Sequence, residues 1–297
     1  MASMKTSWNR LRAMFHDPQP LQRVWEQQFD YCDDVLERLS QTPWGEIDFS
    51  DLWYYHHDLA YVELQPELFA YLFPVCLMDW HETLLHNESC SHGDSEFHYG
   101  VYRGQVFNKM VTSGQAQDIF EFFKDSFLVR LDQERGFVYQ AGRTPAYGWM
   151  ARFNSLGLVM PRIDLLWNAW WSFDTPGRAV AAVQYLSGLM YFEGENPLFG
   201  LWTPEEGGGG PSLIGNDSLL LDAGWMDENV RFLRKTLNEG FVTQKLGQAL
   251  EVLRGEPEYP RAERIGHDLA ERMDVVESRV QELPLLLSDP KAKGWSV

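Results

Sequence analysis

Long stretches of this 297-residue chain contain no lysine or arginine. Between Arg38 and Arg103 there is no base, while Glu46, Asp48, Asp51, Asp58, Glu63, Glu67, Asp79, Glu82, Glu88, Asp94 and Glu96 supply eleven acids. Between Arg178 and Arg231 there is again none, against Glu193, Glu195, Glu205, Glu206, Asp217, Asp222, Asp227 and Glu228. These 19 carboxylates leave 24 of the 43 acids to set against all 25 bases, so two blocks carry the whole net charge of −18. Phosphate neutralisation needs a basic face, and the absence of one argues against a nucleic-acid partner.

Other scarcities exclude further classes. Three cysteines, Cys32, Cys76 and Cys90, are too few and too odd in number for a disulfide scaffold, which points to a reducing compartment. No run reaches the roughly 18 apolar residues of a membrane span, and the first twenty residues hold no apolar stretch of signal-peptide length. A cytoplasmic protein with no membrane partner is the expectation. There is no G-x-S-x-G nucleophile elbow. The glycine run Gly207–Gly210 follows two glutamates and precedes no Lys-Ser/Thr, so it is not a phosphate cradle.

What is present is a globular composition. Hydrophobic residues make up 44% and charged residues 23%, and aromatics reach 14%, with 12 Trp and 18 Phe. Such a chain buries a large aromatic core. Helical periodicity recurs along it. Leu21, Val24, Trp25, Cys32, Val35, Leu36 and Leu39 predict one helix. Ser50 reads as a cap for another and Pro66 as the first turn of a third, which Pro74 should kink or split. Further helices are predicted after Thr112–Ser113, in "MPRIDLLWNAWWSF", in "TPGRAVAAVQYLSGLMYF", and from Asp227 toward Arg254 with a break near Gly240. Phe97–Tyr102 and "GFVYQAG" lose that period and read as strands of a small minor sheet. Residues 194–224 read as a long loop. Ile265, Leu269, Met273, Val276, Val280 and Leu283 form a near-heptad seam that docks on the preceding helix. The predicted fold is therefore mainly α with a C-terminal helical hairpin. Residues 1–254 would form one helix-rich domain, and residues 255–297 a helix and tail packed on it.

Two functional readings follow. In the first, the two acidic blocks form a face for a basic protein partner, because complementary charge speeds encounter and sets specificity. Glu46, Asp48, Asp51, Asp58, Asp94, Glu96, Glu193, Glu195, Glu205, Glu206, Asp217 and Asp222 would make that face. A bacterial immunity protein neutralising a basic toxin fits this pattern, and no cofactor is then required. In the second, a divalent metal such as zinc is held in "HETLLHNESCSHGDSEFH". His81, His86, His92 and His98 would be the ligands, and Glu82 the catalytic base on a metal-bound water. His81 and His86 are five apart, about 140° around a helix, so they converge only across a one-residue bulge. "HETLLH" resembles the H-E-x-x-x-H motif of the third class of dipeptidyl peptidases. That family's second motif, a paired-glutamate helix, has no counterpart here. The first reading draws on more of the chain.

Overall fold

A computed structural model describes residues 4–86, 92–137, 146–150, 153, 163–191, 196–198 and 227–286, with the side chains of 92–95 and 284–286 outside that description. It is mainly α-helical, and no strand occurs among the described residues. The chain divides into two compact units, Met1–Ser126 with Leu156–Leu158, and Phe127–Ser155 with Val159–Val297. The boundary between the units at Ser126–Phe127 falls inside a helix.

The first unit contains α1 (Met4–Met14), α2 (Asp33–Gln41), α3 (Leu52–Tyr61), α4 (Pro66–His86), α5 (His92–Gly104), α6 (Val106–Lys109) and the first part of α7 (Ser113–Asp132). Pro66 opens α4 as expected, because its missing N–H is an orphan there anyway. Pro74 does not split α4, which runs through it to His86. Thr112 and Gln115 form a reciprocal cap for α7, with Gln115 N donating to Thr112 Oγ1 and Thr112 N donating to Gln115 Oε1. The core is aromatic. Trp80 lies 4.2 Å from Phe123 and 5.7 Å from Phe97, and Phe73 stacks on Phe69 at 4.5 Å.

Three sequence expectations fail in this unit. Phe97–Tyr102 is not a strand but the middle of α5, where Phe97, His98 and Val101 form the buried face at helical spacing. Ser50 is not the cap of α3: it lies in a short 3-10 turn, Phe49–Asp51, which Asp48 caps by accepting from Ser50 N at 2.9 Å, and α3 follows with Asp51 at its N-cap position. Residues 21–32 are not helical; α2 begins only at Asp33. Tyr31 sits in the left-handed region at φ 58°, and side chains elsewhere in the unit take the backbone groups that a helix would have paired.

The second unit continues α7 and adds α8 (Ile163–Trp170), α9 (Pro176–Met190), α10 (Asp227–Thr236), α11 (Glu239–Leu253) and α12 (Tyr259–Leu286). Every residue of α9 from Gly177 to Met190 is buried, and α9 packs against α11 and α12. Thr175 caps α9 by accepting from Arg178 N, and the Arg178 guanidinium is held by Asp132 and Asp174. The break near Gly240 falls at Leu237–Asn238, where Asn238 accepts from Phe241 N and starts α11. Gly255, at φ 91°, turns the chain into α12. Ile265, Leu269, Val276, Val280 and Leu283 are buried, so the seam closes a hairpin with α11. Of "GFVYQAG", Gly136 and Phe137 lie in a turn and the rest falls outside the described residues, as does the predicted loop except for residues 196–198.

Candidate functional site

Of the predicted metal ligands, the three with described side chains, His81, His86 and His98, do not converge. His81 points into the core of the first unit. Its Nδ1–H donates to Ser126 Oγ at 2.7 Å, Ser126 in turn donates to the Phe122 carbonyl at 2.8 Å, and Nε2 accepts from the Ser7 hydroxyl at 3.3 Å. Burial, aided by the charges of His86 and Arg10, pushes the imidazole down to about 4. His86 is exposed on the opposite side of α4 and donates to Glu82 Oε2 at 2.9 Å. Glu82 is thus engaged in a one-turn pair with His86. His98 is buried edge-on to Trp80 at 5.2 Å, and the side chain of His92 lies outside the described residues. Among the described residues no group of three His, Cys, Asp or Glu is placed to hold a metal ion. The physical reason is the five-residue spacing on an unbulged helix.

The His81 relay makes a quantitative expectation. Ser126→Ala leaves a buried N–H without an acceptor, so it should destabilise the protein by about 1–3 kcal/mol in urea titrations at pH 7. The neutral His81 contributes stability above its ordinary value of 6.5, and that contribution is lost as the pH falls toward about 4.

The acids expected on a docking face have divided fates. Glu46 and Asp48 are exposed; the backbone N–H of Ser50 holds Asp48 below its usual value. Asp51 is paired with Arg38 at 2.8 Å. Asp94, Glu193, Glu195, Glu205, Glu206, Asp217 and Asp222 lie outside the described side chains. Of the second base-free block only Asp227 and Glu228 are described, both exposed, with Glu228 paired to Arg231. Asp58 corrects the expectation outright. It is fully buried, because α3 turns that position inward, and it cannot touch a partner.

What the first block does build is an aromatic and carboxylate face where α3 meets residues 21–32 and α5. Phe29 stacks on Tyr61 with ring centres 4.3 Å apart, yet they remain 44% and 45% exposed. Tyr61 and Tyr99 share a hydroxyl–hydroxyl hydrogen bond of 2.6 Å. Trp25 and Tyr31 on the same segment are 50% and 85% exposed. Beside the stack, His57 meets a carboxylate at each ring nitrogen, Asp30 at 2.5 Å and Glu96 at 2.9 Å. Glu63, Asp33 and Asp34 stand exposed on the flanking turns, and Arg103 is the base whose charge reaches Tyr61.

Behind this face lies a second pair of acids. Glu26 Oε2 accepts from Gln65 N at 2.6 Å, and Asp58 Oδ1 accepts from Phe29 N at 2.8 Å. Both carboxyls are buried, and Glu26 Oε1 and Asp58 Oδ2 meet no hydrogen-bond donor among the described residues. Burial pushes Glu26 up to about 8, with the charge of Asp58 adding to it, and pushes Asp58 up to about 7, with the charge of Asp30 adding there. The pair therefore keeps a proton at neutral pH. Sequence reasoning missed Glu26, Phe29 and Asp30. They precede Arg38 and so fall outside the base-free count, and the only local signal was an acid beside Trp25 in an apolar register.

The chain matches no protein-family model, no curated protein and no solved structure.

Proposed function

We propose that this is an acidic binding protein whose first unit docks a basic partner protein on the Phe29–Tyr61 face. The observation that supports this reading is an exposed aromatic stack rimmed by Asp30, Glu96 and Glu63 within a region almost free of lysine and arginine. Monomer surfaces rarely leave stacked aromatics half open, and such rings are the usual anchors of interface energy. Their π-faces and the carboxylate rim favour the same guest, a guanidinium or ammonium group. A basic toxin held inactive by such a face is one partner of this chemistry. The metal-hydrolase reading has no comparable support.

Immobilised protein exposed to native lysate at about 50 mM salt should retain a basic protein and release it near 500 mM, as exposed charges are screened. That protein, once purified, should rebind, and Phe29→Ala with Tyr61→Ala should weaken it at least about tenfold. Glu251→Gln, on an exposed turn of α11 in the other unit, should leave binding unchanged. Retention of nothing basic at low salt, or equal binding by the double variant, refutes the proposal.

A further inference from the structure

Charge alone does not choose among cations at the Phe29–Tyr61 face; shape does. Phe29 and Tyr61 lie nearly parallel, with ring centres 4.3 Å apart and planes inclined by 22°. Tyr99 extends the surface from α5, its ring centre 6.0 Å from that of Tyr61 and its hydroxyl bonded to the Tyr61 hydroxyl. Three elements thus pave one platform: residues 21–32 with Phe29, α3 with Tyr61, and α5 with Tyr99. An open, nearly planar π-surface matches a planar guest better than a round one.

The acids beside the platform are held in place. His57 meets Phe29 edge-on with ring centres 6.2 Å apart, and its other neighbour is Trp53 at 4.8 Å. Its two nitrogens fix Asp30 Oδ2 and Glu96 Oε2, so neither carboxylate swings freely. Both acids remain open to a guest, with 26% and 33% of their side-chain surfaces exposed. Fixed acceptors at the edge of fixed rings suit a donor whose own N–H groups point in fixed directions.

We infer that the Phe29–Tyr61 face is an arginine seat: a guanidinium of the partner lies flat on the stack and turns its N–H edge to Asp30 and Glu96. The inference rests on the docking reading for where a basic partner lands, and adds what that partner carries there. A guanidinium is planar, weakly hydrated and donates within its own plane, so it can stack and pair at once. An ammonium is a compact, strongly hydrated point charge. Over a ring it gives up water, and at the carboxylates it leaves the ring uncovered. Arg103, exposed at the end of α5, is the base whose charge reaches Tyr61. It opposes every cation alike and does not choose between them.

Calorimetric titration of the full chain with two capped nonapeptides tests this, one alternating glycine with arginine and the other alternating glycine with lysine, both at about 50 mM salt. The two peptides carry equal charge, so screening acts on both alike. The arginine peptide should bind at least about fivefold tighter. Phe29→Leu with Tyr61→Leu keeps apolar bulk but removes the π-faces, and should bring the two affinities to within about twofold. If that double variant does not fold, Phe29→Leu alone should cut the preference by at least about half. Equal affinities in the wild type, tighter binding of the lysine peptide, binding of neither, or an arginine preference that survives the leucine substitutions overturns the seat. The docking reading fails by a different result, the retention of no basic protein from lysate at low salt, so the two are judged separately.

Discussion

Replacing Gly104 by alanine should cost the first unit about 3 kcal/mol or more, the upper range for forced overpacking. A Cβ at Gly104 would sit 1.8 Å from the Leu59 carbonyl oxygen, and one at Gly100 would sit 2.3 Å from that of His56. Both obstacles are backbone atoms of α3, which cannot swing aside as a side-chain tip can. The two glycines, one turn apart on α5, let the helices approach until backbone meets backbone. Separating them would also pull Glu96 and Tyr99 away from His57 and Tyr61, so Gly104→Ala should abolish partner capture as well. The internal comparison is Gly114→Ala in the first turn of α7, where an added Cβ meets nothing within 4 Å. That change should be neutral or gain up to about 1 kcal/mol. Urea midpoints of the two variants decide it; an unshifted midpoint for Gly104→Ala would mean that α3 and α5 are not so close.

The second unit should fail most severely at Trp167. Its ring is fully buried, stacked on Trp171 at 4.9 Å and edge-on to Tyr185 at 5.5 Å, with Trp170, Phe241 and Phe232 completing the shell. Trp167→Ala removes a large apolar surface and leaves a cavity among rigid rings that cannot collapse into it. A loss of about 3–5 kcal/mol is expected. Trp167→Phe, which keeps a ring in the shell, should lose clearly less. Near-ultraviolet circular dichroism during denaturant titration reports the transition, and a Trp167→Ala protein as stable as the wild type would contradict this packing.

Much of the helical framework is legible in the sequence, because apolar residues at 3.6-residue spacing must share a face. The aromatic run of α7, the helix bearing Trp167 and Trp170, the buried α9 and the α12 seam all follow from that rule, and Pro66 marks a helix start. The same rule misled where tertiary partners overrode it. Val24 and Trp25 have helical spacing with Leu21 and Cys32, yet their segment is extended, because Gln65 and Asp58 offer its backbone better partners than its own next turn. Helix α5 was misread because Gly93, Gly100 and Gly104 look like breakers one by one. Taken together, Gly100 and Gly104 have the four-residue spacing of a close helix contact. The candidate site was legible only as an excess of acid. Which carboxylates face water and which face inward depends on the rotation of α3, and its mix of Trp53, Tyr54, His56 and His57 with apolar residues does not reveal that phase. Hence Asp58 was counted outside when it belongs inside.

The neighbours His57 and Asp58 have a consequence of their own. One step along α3 separates a side chain at the rim from one sealed within, and residues 21–32 are tied to both, through Asp30 at one knot and Phe29 at the other. Loosening the visible knot therefore loosens the hidden one, and by reciprocity of linked equilibria the hidden knot biases the visible one by the same factor.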